Sequence, residues 1–343
     1  MKITGIHDIA TLDRKLSEPP APLVETMRRL DGDLLILGAG GKMGPSLSEM
    51  AMRAIEASRR PRNVTAVSTF STPGLRARLE SAGVRTIQCN LLDPGAVDAL
   101  PDAENVIFMA GRKFGSTGAE WLTWAENVLL PGLVGRRYCN SRIVSFSTGS
   151  IYPLEPVDGG GSTEHTPPEP VGDYAMSCVG RERMFDYCAR ELGARVLHLR
   201  LNYAVELRYG VLVDVASRVW AGLSVDLTMG YFNCVWQAYA NAVALMGLEL
   251  ASSPPEILNV TGPETVSVRA LAEKFGERMD KTPIFTGHEA PTALLSNASK
   301  CHQLFGPPGV SLEMLIDWTT DWTMAGREIW SKPTHYETRD GKF

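Results

Sequence analysis

Leu34-Leu35-Ile36-Leu37-Gly38-Ala39-Gly40-Gly41-Lys42-Met43-Gly44 is the stretch that decides how this chain is read. Four uncharged apolar residues ending in glycine describe a strand buried on both faces of a parallel sheet. The residues that follow, Pro45 to Ile55, are apolar at helical spacing, and Pro45 suits a first helical turn. Strand, glycine turn and helix in that order are the context in which a glycine pattern points to a dinucleotide. Gly38 would allow the tight turn, and the backbone of Gly41, Lys42 and Met43 would approach a pyrophosphate at the helix N-terminus. Gly44 would let helix and strand pack closely. The plain alternative is a glycine turn that holds no ligand.

The chain has 343 residues, 44% of them hydrophobic, and a mean hydropathy of −0.07. That is enough apolar material for one large α/β domain or two lobes. A net charge of −5 and a pI near 5.8 argue against a nucleic-acid or anionic-membrane partner. The six cysteines (89, 139, 178, 188, 234, 301) show no metal-ligand pairing or disulfide spacing, so reduced thiols and no metal site are expected. No apolar run reaches the roughly 18 residues of a membrane helix, and the N-terminus lacks a signal-type core. A cytoplasmic location is the expectation.

Working outward, residues 1–33 form an N-terminal extension, with a proline-rich 17–22 and a helical 23–30; it either packs on the domain or is a disordered leader. Further strands are predicted over 63–68, 86–90, 105–111, 142–147 and 195–200, with helices over 74–82, 94–99 and 118–138 between them. This alternation implies crossover units and a doubly wound parallel sheet covered on both faces. The Rossmann-like domain is placed at 34–205, completed by about 235–262. Residues 206–234 and 263–343 are assigned to a small C-terminal substrate lobe and a tail that either covers something or trails. Helices are expected over 211–222, 237–250 and from 266, with Ser267 as cap.

The motifs together resemble the extended short-chain dehydrogenase/reductase family, the NAD-dependent epimerases, dehydratases and reductases, from about Leu34 to Trp322. Its Gly-x-x-Gly-x-x-Gly falls on Gly38, Gly41 and Gly44. Its adenine-contacting pair resembles Asn90-Leu91, with Asp93 following, and its small residues after the fourth strand resemble Ala110-Gly111. The resemblance implies Thr148 as the hydroxyl that polarises a carbonyl, Tyr174 as catalytic acid/base that also touches the cofactor, and Asn127 as the helix asparagine. It further implies a nicotinamide cofactor, a carbohydrate-like substrate and, since related folds pair through helices, a homodimer.

One position departs from that family. Four residues after Tyr174, where the family has a lysine that lowers the tyrosine pKa, this chain has Cys178. Three readings follow. A cation from elsewhere substitutes, with Arg112 or Lys113 preferred over Arg181; or tyrosine acts only as an acid in proton-transfer or elimination chemistry; or the chain is an inactive, dinucleotide-binding sensor. Cys178 itself is either a reactive thiol or a small buried hydrophobe, and His165 either reaches substrate or sits in solvent. The second strand ends in Ser68-Thr69-Phe70-Ser71 with no carboxylate for a ribose. Ser68, with Arg76 or Arg78 nearby, tilts the choice between NAD and NADP toward NADP. Arg112, Lys113, Asn202 and Tyr203 are the candidate substrate contacts, with Arg208 and Tyr209 beside them. Asn202 stands one position early against the sugar-nucleotide pattern, so a sugar, sugar acid or polyol is as plausible a substrate as a nucleotide sugar.

Overall fold

The computed structural model describes residues 5–342. Seven parallel strands make one sheet: β1 (Leu34–Leu37), β2 (Val64–Ser68), β3 (Arg85–Gln88), β4 (Asn105–Phe108), β5 (Arg142–Thr148), β6 (Arg195–Leu201) and β7 (Glu256–Val260). Their spatial order is β3-β2-β1-β4-β5-β6-β7. The order reverses between β1 and β4, and the crevice outside the strand ends at that switch point is where such sheets bind ligands. β1 and β4 are buried along their whole length, as their uncharged sequences require.

The extension is part of the domain over residues 5–33. Asp8 caps α1 (Ile9–Leu16) by accepting from the Thr11 N–H at 2.7 Å, and α2 (Ala21–Arg29) follows. Leu12, Leu16, Leu23 and Met27 are buried in the core that includes α3 (Gly44–Ser58). Asp13 pins α1 by ion pairs to Arg78 at 2.9 Å and Arg208 at 3.0 Å.

Between β2 and β4 lie the short helices α4 (Leu75–Ser81) and α5 (Pro94–Asp98). The single helix expected over 118–138 is broken into α6 (Glu120–Trp124), a π-turn (Ala125–Leu129) and α7 (Leu130–Arg137). Pro131 has no N–H for the carbonyl four residues back, at Asn127, and its ring crowds that carbonyl. A local i→i+5 turn relieves both problems. The long helix α8 (Gly172–Leu192) packs beside α7 and the π-turn.

The C-terminal lobe is built from α9 (Val211–Trp220), α11 (Val268–Met279) and α13 (Leu312–Met324), with short strand pairs between them. α10 (Gln237–Met246) instead packs on α3 and α2 beside the sheet, and α12 (Ser299–Phe305) lies near β7. Residues 204–205 pair with 235–236, which leads the chain from the lobe back to the sheet. No helix among the described residues is long and apolar enough to cross a membrane.

Candidate active site

The glycine turn is shaped by contacts that leave no room for side chains. The N–H groups of Gly38 and Ala39 both donate to the Val67 carbonyl, at 2.9 and 3.1 Å. Gly38 has φ +88°, and a Cβ there would stand 2.5 Å from the Ala110 nitrogen. A Cβ on Gly44 would stand 2.3 Å from the Ala39 carbonyl oxygen. Gly41 differs, since the nearest atom to a Cβ there would be the Gly38 oxygen at 3.4 Å. Its backbone faces a cavity of about 290 Å³ lined by Gly38, Gly41, Ser68, Asn90, Leu91, Ala110 and Gly111. A bare-backbone turn at a helix N-terminus, a hydroxyl at the end of β2 and an apolar wall at Leu91 fit a dinucleotide.

Lys42 lends its backbone to the turn, while its ammonium donates to the Ala204 carbonyl at 2.7 Å and sits 4.0 Å over the Tyr209 ring. One expectation for this region needs correction. The two arginines expected near a ribose phosphate are engaged elsewhere. Arg78 is paired with Glu49 at 2.6 Å and with Asp13, and Arg76 with Glu80 and Thr86. Met43 is buried under the turn as the residue before α3, and Asp93 caps α5.

Across the crevice, Thr148 ends β5 and Tyr174 lies in the first turn of α8, with Thr148 and the Cys178 thiol among the neighbours of its phenol. Burial, and then the neighbouring thiol, push the Tyr174 phenol well above the ordinary tyrosine range. Cys178 is a buried thiol packed with Ile151 and Tyr152, and burial raises its pKa too. It is a small hydrophobe that favours the neutral phenol.

A cation from the loop after β4 lies beside the Tyr174 ring. The Lys113 ammonium lies 5.7 Å from the Tyr174 ring centroid and 5.5 Å from that of Phe114. Burial lowers its pKa to about 8, opposed by the nearby Cys178, Glu337 and Asp214. Arg112, the other candidate, points away and donates to the Gly115 carbonyl at 3.0 Å. Arg181 lies beneath, donating to the Phe146 carbonyl at 2.6 Å and to Asn127 Oδ1 at 2.7 Å. Asn127 uses its whole amide: Oδ1 also accepts the Arg112 N–H, while Nδ2 donates to the Arg112 carbonyl and to Ser177 Oγ. The loop carrying Lys113 is thereby fastened to the helix carrying Tyr174.

A buried network, unread in the sequence, sets the height of α8 on the sheet. Glu182 pairs with Arg200 of β6 at 2.7 Å and accepts from Ser147 of β5 at 2.6 Å. Arg200 also donates to the Tyr152 hydroxyl, which donates to Asn259 of β7. The signal available was three polar residues at strand positions that otherwise read as apolar.

On the lobe side the substrate candidates separate. Tyr203 has φ +45° and packs edge-on against Phe232 with centroids 6.2 Å apart, facing the cleft carboxylates Asp214 and Glu337. Asn202 is corrected: its amide is buried and donates to the Leu294 carbonyl at 3.3 Å, so it holds the lobe in place. Arg208 is spent on Glu206 and Asp13. His165 is exposed in its loop. Among the described residues, no three His, Cys, Asp or Glu side chains gather as metal ligands.

A turn, a hydroxyl pair and a pinned helix in this order match a family. The sequence model of the NAD dependent epimerase/dehydratase family matches residues 34–205. The chain belongs to that family. Solved structures share its fold at low identity. The UDP-glucose 4-epimerase of Thermotoga maritima, solved with UDP-glucose, is 18% identical with a TM-score of 0.71 and covers 86% of this chain and 99% of its own. The UDP-glucuronic acid 4-epimerase of Bacillus cereus, solved with NAD, is 16% identical with a TM-score of 0.70, covering 86% and 100%. The Thermus thermophilus UDP-glucose 4-epimerase, solved with NAD, is 22% identical with a TM-score of 0.68, covering 85% and 99%. No curated protein sequence matches the chain significantly.

Proposed function

We propose that this member of the family is an NAD-dependent epimerase, dehydratase or dehydrogenase that works on a hydroxyl or carbonyl group of a carbohydrate-like small molecule. The observation that carries the reading is the Tyr174 phenol, a neighbour of Thr148 at the switch-point crevice, with the Lys113 ammonium over its ring. The bound nicotinamide would supply reversible hydride acceptance. Thr148 hydrogen-bonds the reacting oxygen, and Tyr174 passes the proton to or from it. A buried phenol with a raised pKa is a poor base alone. Arg181 beneath favours the phenolate, and we assign the same role to the Lys113 ammonium over the ring. NAD is favoured over NADP because Arg76 and Arg78 are already paired.

Calorimetric titration with NAD, NADH and NADPH, followed by Tyr174→Phe, tests the reading. Binding of NADH together with loss of turnover in the variant supports it; binding of none of the three ends it. The inactive sensor remains the competing reading because the Cys178 thiol holds the phenol neutral. It predicts cofactor binding with no turnover in the wild type on any sugar, sugar acid or polyol.

A homodimer is proposed as well. Trp121, Leu129, Tyr187 and Leu192 are exposed around an apolar groove of about 870 Å³ between α6–α7 and α8, and a second copy of the same helices is its proposed occupant. Leu129→Glu is expected to halve the mass seen by light scattering.

A further inference from the structure

The chain passes from the sheet to the lobe between Leu201, the end of β6, and Val211, the start of α9. This crossing is sharply bent: Tyr203 has φ +45° and Gly210 φ +135°, and a Cβ on Gly210 would stand 2.8 Å from Val205 Cγ1. Beside it, the Val235 N–H donates to the Tyr203 carbonyl at 3.1 Å where the chain returns to the sheet. Glu206 and Tyr209 exchange backbone hydrogen bonds at 3.0 and 3.3 Å, which closes a tight turn. One side of that turn is held by the C-terminal segment. The Trp330 N–H donates to the Arg208 carbonyl at 2.9 Å, and the Trp330 ring lies 6.1 Å from that of Tyr209. Thr334 fastens the same segment to α9, donating its N–H and its hydroxyl to Asp214 at 2.8 and 2.6 Å. The other side is held by one residue of the cofactor turn. The Lys42 ammonium spans the crossing, donating to the Ala204 carbonyl before the tight turn and lying over the Tyr209 ring at its end. Burial and the Lys113 charge work against the ammonium, and the Glu206 and Asp214 carboxylates favour it.

We propose that Lys42 is a positioning residue that couples the cofactor turn to the sheet–lobe crossing, so that a dinucleotide on the turn fixes the lobe side of the reaction cleft before substrate enters. The inference rests on the dinucleotide reading given above. Lys42 stands between Gly41, whose backbone lines the dinucleotide cavity, and Met43, the N-cap of α3. A diphosphate held by bare backbone at a helix N-terminus restrains those three residues together. The restraint passes along the lysine stem because its far end is fixed twice, by a charge-assisted hydrogen bond and by an aromatic face. Order that the first ligand has imposed need not be imposed again by the second, which is positive coupling without a change of fold. The segment so fixed bears on the chemistry. It carries Tyr203 and opens α9, whose Asp214 carboxylate acts on Lys113, the cation beside Tyr174. An apolar side chain at position 42 would leave the glycine turn in place and the crossing unattached to it.

Hydrogen exchange on the full-length protein, with and without saturating NADH, tests the coupling. In the wild type, NADH should slow the Glu206, Tyr209 and Val235 amides by roughly fivefold or more, the low end of coupling between two sites. Exchange at those amides that bound NADH leaves unaltered overturns the proposal, and that result needs no variant. In Lys42→Met saturated with NADH, the slowing at the crossing should be lost while the Gly41 amide of the cofactor turn still slows. Slowing that persists in full in the variant overturns the proposal. A folded variant that no longer binds NADH assigns the lysine to the cofactor itself and overturns it as well. Should Lys42→Met fail to fold, Tyr209→Leu removes one of the two anchors: reduced slowing supports the coupling, and unchanged slowing overturns it. A wild type that binds no NADH fails the functional reading, and this inference falls with it. NADH binding without slowing at the crossing fails the inference alone.

Discussion

The two sides of the crevice are built by different means. On the cofactor side the chain approaches the ligand with backbone, and the shape is set by residues adjacent in sequence: Gly38, Gly41 and Gly44 stand on one turn between one strand and one helix. On the reaction side, groups come together from the loop after β4 (Lys113), the end of β5 (Thr148), α8 (Tyr174), the glycine turn (the Lys42 side chain), α9 (Asp214) and the C-terminal segment (Glu337). A backbone cradle depends on what is missing from side chains and is local. A proton-transfer site depends on charges brought together from afar, so one departure from a motif can be answered from another element. Cys178 and Lys113 are proposed as such a pair.

The largest expected effect lies on the reaction side. Tyr174→Phe should lower kcat by roughly 10²–10⁴-fold, the usual worth of positioned acid–base catalysis, with NADH affinity nearly kept. Undiminished turnover would remove Tyr174 from the chemistry. Gly44→Val attacks the other side, where the added Cβ meets the Ala39 carbonyl backbone. A clash costing about 1–3 kcal/mol should weaken NADH binding roughly 5–150-fold in a fluorescence titration. A variant that binds NADH normally would break the backbone-cradle account.

Lys113→Met comes next and bears on the exchange of positions. Turnover should fall about tenfold or more, and the alkaline limb near pH 8 should vanish from the pH–rate profile. Adding Cys178→Lys to that variant should restore much of the loss, by returning an ammonium to the neighbouring turn of α8. No rescue would mean that Lys113 serves substrate rather than tyrosine. Stability carries the same signature. The folded-state pKa near 8 lies below the value of about 10.4 for an unfolded lysine, so the unfolded chain binds more protons between those limits. Stability should therefore rise as pH climbs through that window, by on the order of 1–2 kcal/mol from this residue, and Lys113→Met should lack the rise in melting experiments.

Asn202→Ala is the smallest test. Loss of its bond to the Leu294 carbonyl should cost about 1 kcal/mol of stability and leave kcat/KM within twofold or so. A large change in KM would return Asn202 to the substrate contacts.

The sheet was legible because its strands are largely apolar runs and the first of them ends in a glycine turn, both local signals of period and backbone freedom. The broken helix at 120–137 was legible in retrospect from Pro131, whose missing N–H and ring act on a carbonyl four residues away. Thr148 and Tyr174 were legible by resemblance to a family, and in the structure they are neighbours across the crevice. Asn202 was misplaced, since its spacing gave its position along the chain and no direction.

The sequence by itself determined the Rossmann-like sheet, the glycine turn, the tyrosine–threonine pair and the missing lysine, because each is written within a few residues of itself. The tertiary structure alone decided which cation faces Tyr174, where Lys42 points and what the tail covers. Those outcomes follow from loop closure and packing between residues more than two hundred positions apart, such as Lys113 and Glu337. Neither spacing nor composition encodes such pairings, because the chain between their members is free to fold many ways until the core fixes one.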